Sequence, residues 1–72
     1  MAEQFIRTHV TVLEPMLYAI RVNATRQKMS DIMTAFFDKI YYDNNVPVEY
    51  VQEIAKRLEL TWNLPVSKEN GD

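Results

Sequence analysis

Between positions 32 and 42 the chain carries Ile32, Met33, Ala35, Phe36, Phe37, Ile40, Tyr41 and Tyr42. That is a dense apolar segment for a protein of 72 residues, because a chain this short buries only a modest fraction of its surface. Small domains usually offset a thin core with disulfides, a structural metal or oligomerisation. There is no cysteine, and His9 is the only histidine. Disulfides and thiolate or histidine metal sites are therefore set aside, and no metal or cofactor is expected. Self-association is the device that is left, and the expectation is a homodimer.

The hydrophobic fraction of 47% with 25% charged residues is ordinary for a soluble globular chain. No apolar run approaches the roughly 18 residues of a membrane span, and "MAEQFIRTHV" lacks the basic-then-apolar pattern of a signal peptide. The expected setting is cytoplasmic, with no membrane partner. Charge is split along the chain. Residues 1–30 hold four basic and two acidic side chains, whereas residues 31–72 hold four basic and eight acidic ones. Such a split suggests two ends with different partners. Catalysis has little support, since there is no cysteine, no glycine-rich loop and no carboxylate pair in a cleft. The expectation is a non-enzyme without a small-molecule substrate.

Residues 5–12, "FIRTHVTV", alternate. Ile6, Thr8, Val10 and Val12 fall on one side and Phe5, Arg7, His9 and Thr11 on the other, mostly β-branched, so the segment reads as a strand. A lone strand has both edges unpaired and needs a second copy to pair with. Pro15 suits the first turn of a helix, and Met16, Leu17, Ile20 and Ala24 share a face of it. Ser30 reads as the N-cap of a second helix running to about residue 43, with Asp31 beside the positive dipole end. Ile32, Phe36 and Ile40 form one row of it, and Met33, Phe37 and Tyr41 the adjacent row. "DNN" at 43–45 and Pro47 end it. A third, amphipathic helix is expected from 47 to about 60, with Val48, Val51, Ile54, Ala55 and Leu58 on its apolar face. Trp62 and Leu64 are the last apolar anchors before a polar tail.

Three motifs in register carry a resemblance: Phe5 with Arg7 and Val10, then Met29-Ser30-Asp31, then Val46-Pro47-Val48-Glu49. Over about residues 4–50 the chain resembles the RelB/DinJ family of type II antitoxins. The resemblance implies a mainly α, ribbon-helix-helix protomer: one N-terminal strand, two core helices and an obligate dimer, followed by a C-terminal amphipathic helix. Residues 1–46 would form the dimerisation and DNA-binding domain, and residues 47–72 the toxin-binding helix and tail. Ile32, Phe36, Phe37 and Ile40 would be dimer core, with a burial contribution on the order of 6–12 kcal/mol per chain. Arg7, His9 and Thr11 would face the major groove of double-stranded operator DNA. Lys28 and the helix start at Ser30 would hold phosphates, aided by Arg21 and Arg26. The implied function is neutralisation of a RelE-like toxin ribonuclease and repression of the operon by the dimer. Val51, Ile54, Leu58 and Trp62 would anchor the toxin, while Glu49, Glu53 and Glu59 would speed its encounter.

Two alternatives stand beside this. The stripe Val51, Ile54 and Leu58 also fits a role in finishing the core, or in packing back on Tyr41 and Tyr42. The alternative function is a small helical adaptor or phage-type inhibitor that binds only protein. The last helix is also similar to that of Cro-like regulators, although the second helix is too apolar for a recognition helix.

Overall fold

In the computed structural model, which describes residues 2–63, the alternating segment is helical. It lies inside α1, Ala2–Asn23, and no strand forms among the described residues. The expected N-terminal strand, and with it the ribbon-helix-helix protomer, is therefore corrected to three helices among the described residues. The physical reason lies in a longer period than the one the eight residues display. Ile6, Val10, Leu13, Leu17 and Ile20 follow one another at steps of four, three, four and three, which keeps them on one face of a helix. Ile6, Leu13 and Leu17 are buried, and Val10 and Ile20 pack against them. Burial along 22 residues outweighs the β preference of Thr8, Val10, Thr11 and Val12, which is a context-dependent tendency spanning about 1 kcal/mol. Pro15 falls inside this helix, not at its start. It cannot donate to the Thr11 carbonyl, and both residues are exposed.

A two-residue connection leads into α2, Arg26–Asn44. Its N-cap is Thr25, not Ser30: the Thr25 Oγ1 accepts the Lys28 N–H over 3.1 Å, and the Met29 N–H donates to the Thr25 carbonyl over 2.9 Å. Asn45 closes the helix in the left-handed conformation at φ 50°, and its N–H donates to the Tyr41 carbonyl over 3.0 Å. Asparagine tolerates that geometry better than other residues with a Cβ. Pro47 then precedes α3, Val48–Arg57. This last helix ends in a Schellman motif: the Leu60 N–H reaches the Ala55 carbonyl at 2.8 Å and the Glu59 N–H reaches Lys56 at 2.9 Å. The motif forces Glu59 to φ 62°, a position that usually holds glycine.

α1 and α2 form an antiparallel hairpin, and α3 packs against both, most extensively against α1. The core takes Ile6, Leu13 and Leu17 from α1, Met33 and Phe37 from α2, and Val51, Ile54, Ala55 and Leu58 from α3, with Trp62 beyond them. Packing thus crosses the expected domain boundary at residue 46. The largest fully enclosed side chains are Phe37, Met33, Ile54 and Val51. At the α1–α3 edge, Arg57 grips Glu3 with both Nη atoms, at 3.0 and 2.8 Å, while its Nε donates to Glu53 at 3.0 Å. The described helices include none long and apolar enough to cross a membrane.

Candidate functional site

Folding α1 as a helix divides the residues expected to read DNA. Positions two apart are about 200° apart on a helix, so His9 turns away from Arg7 and Thr11, which stay neighbours one turn apart. Arg7 pairs with Glu3 at 3.2 Å. His9 places Nδ1 2.8 Å from the Phe5 carbonyl and its ring 4.2 Å from the Phe5 ring, and Phe5 in turn meets Tyr50 of α3 at 5.8 Å. Thr11 is exposed. The phosphate-holding start expected at Ser30 is helix interior, because the true first turn is capped by Thr25. Ser30 instead lines a wide hollow of about 640 Å³ with Arg21, Arg26 and Glu59. Lys28 is exposed in the first turn of α2.

The residues expected to grip a toxin have a different fate. Val51 and Ile54 are wholly enclosed, and Leu58 and Trp62 are buried. The apolar stripe of α3 is covered by the chain's own α1 and α2, so none of the four offers a free docking surface in the folded protein. Trp62 sits 5.7 Å from the Tyr41 ring and donates its indole N–H to Asp38 Oδ1 over 2.7 Å. Asp38 was not recognised from the sequence. A buried indole N–H needs an acceptor, but nothing in the order of residues says which carboxylate supplies it.

The expected dimer-core residues divide. Phe37 points into the chain's own core, 1% exposed. Ile32, Phe36 and Ile40 lie on the adjoining flank of α2 and are only half-buried. Across from them, α1 presents Val12, 57% exposed, and half-buried Met16. Together Val12, Leu13, Met16, Phe36 and Ile40 line a groove of about 250 Å³ between the two helices, to which α3 contributes nothing. Val12 escaped the sequence reading because strand alternation placed it on the same side as Ile6; on a helix it is about 120° away. His9, Lys39, Asp43 and Asn44 rim the groove. Lys39 and Asp43 are paired at 2.8 Å, one turn apart, and the hydrogen bond that the Lys39 ammonium donates to the Asp43 carboxylate holds the ammonium's pKa above its usual range.

No family model, curated protein or solved structure matches this chain.

What this groove can do is limited by its walls. Its floor is hydrocarbon and sulfur, with charge confined to one edge, which suits an apolar side chain from another protein surface. No group of three or more His, Cys, Asp or Glu side chains able to hold a metal occurs among the described residues.

Proposed function

We propose that this chain is a small helical protein-binding module that acts by docking the α1–α2 face on another polypeptide. The observation that carries this reading is the row Val12, Met16, Phe36 and Ile40. It is apolar, continuous across two helices, and left uncovered by α3. Uncovered apolar patches framed by polar residues are typical of interaction sites. This is the adaptor or inhibitor class of function. The toxin neutralisation implied by the antitoxin resemblance belongs to the same class of activity, and would have to be carried by surface residues, since Val51, Ile54, Leu58 and Trp62 are core. The groove-reading strand has no counterpart here, so DNA repression by that device is not carried forward.

A photo-crosslinking residue placed at Val12 or Phe36 in the living cell tests the proposal. Each position should yield a discrete adduct of one mass, and exposed Thr34 and Gln52, which lie off this face, should not. Equal adducts at all four positions, or none at Val12 and Phe36, would refute it.

A further inference from the structure

The outer stripe of α2 reads, from one end to the other, Lys28, Ile32, Ala35 with Phe36, Lys39 and Asp43. These positions recur at three- and four-residue steps and lie within one broad face of the helix. A cation begins the stripe, an anion ends it, and its middle is apolar. We infer that the occupant of the open face is a second copy of this chain, docked about a two-fold axis near Phe36 with the two α2 helices antiparallel. The inference rests on the reading of that face as a protein-docking surface and names its partner.

Register supports the choice. A two-fold axis requires the same patch to be complementary to itself. Setting Ala35 against Phe36 of the partner subunit sets Ile32 against Lys39 of the partner subunit, whose methylene stem can lie along the isoleucine. The same register brings Lys28 to Asp43 of the partner subunit at each end of the interface. A parallel arrangement would instead put Lys28 against Lys28 of the partner subunit and Asp43 against its copy, which repels. The internal Lys39–Asp43 pair at 2.8 Å leaves Asp43 with acceptor capacity for a second cation, since a carboxylate has about four lone-pair sites.

Size supports it as well. A helix of 19 residues is about 28 Å long, and a hairpin of two helices is about 20 Å wide, giving a flat footprint on the order of 550 Å² per chain. Accessible area on such a corrugated face exceeds its flat footprint. Counted over both chains the footprint is about 1,100 Å², just under the roughly 1,200 Å² at which stable dimers begin and in the size class of weak, transient ones. A net charge of −2 per chain adds little self-repulsion. The expected dimer is therefore weak and concentration-dependent, not a condition of folding, because the ten buried core residues belong to one chain.

Sedimentation equilibrium on the full chain, from low- to high-micromolar concentration, tests this. The wild type should pass from monomer to dimer. Phe36→Asp should be monomeric throughout yet keep its helical circular dichroism, since Phe36 is only half-buried. Lys28→Asp and Asp43→Lys should each weaken the dimer at least several-fold, and the two together should restore it. A wild type that stays monomeric overturns the inference. A dimer that survives Phe36→Asp, or one that the double exchange fails to restore, overturns it equally. If the purified chain stays monomeric while Phe36 crosslinks in cells to a protein of another mass, the docking face stands and the second copy is excluded.

Discussion

Trp62 lies beyond the last helix, yet its indole N–H is held 2.7 Å from the Asp38 carboxylate in the middle of α2. The ring is 3% exposed and joins residues that follow α3 to the core between the helices. Trp62→Ala should destabilise the protein by about 3–5 kcal/mol, the usual cost of removing a buried aromatic. Asp38→Ala should cost about 1–3 kcal/mol by leaving the indole donor without its acceptor. Urea titrations followed by helical circular dichroism check both. A Trp62→Ala chain as stable as wild type would contradict the placement of this residue.

Glu59 sits at φ 62° in the turn that ends α3. A side chain with a Cβ is strained there, whereas glycine is not. Glu59→Gly should therefore stabilise the chain by about 0.5–1 kcal/mol, after the entropy that glycine adds to the unfolded state is subtracted. An increase in the urea midpoint at constant slope is the expected result. A decrease would mean that the Schellman geometry is wrong.

The Arg57 guanidinium, which donates two hydrogen bonds to Glu3, holds that carboxyl at about 2, well below its ordinary 4.5. Arg7 adds to the same effect. A carboxyl whose pKa is lowered by folding contributes stability that is complete above the unfolded value. The contribution fades as pH falls through the interval from about 4.5 to about 2. Glu3→Gln should flatten that acid limb of a stability-against-pH curve while leaving its shape above about pH 6 unchanged. The side chains are partly exposed, 52% for Glu3 and 35% for Arg57, so added salt should shrink the effect. An acid limb identical in wild type and Glu3→Gln would remove Glu3 as its source.

Particular residues explain what could be read in advance. Pro47 and the asparagines before it marked the end of α2 correctly, because proline and a left-handed asparagine both act locally. The apolar face of α3 was legible for the same reason. What covers it was not: a stripe states only that something must, and here α1 and α2 do. The start of α2 came five residues early, because Thr25 and Ser30 are both competent caps and only the tight Ala24–Thr25 connection decides between them. Residues 5–12 were misread because two periods coexist there, and the one that wins is visible only when Leu13, Leu17 and Ile20 are counted with it. Of the open face between α1 and α2, Phe36 and Ile40 are legible in the sequence as apolar positions of α2. Val12 is not, since its side depends on whether the segment is strand or helix.

The groove exists only if α1 is continuous from Ala2 to Asn23, since a strand at residues 5–12 would remove Val12 and the wall beneath it. Backbone ¹³Cα chemical shifts of the full chain in solution test this residue by residue. The account predicts downfield, helical shifts running unbroken from Phe5 through Val12 and on past Pro15. Upfield, extended shifts across Phe5 to Val12 would contradict it and return the segment to a strand.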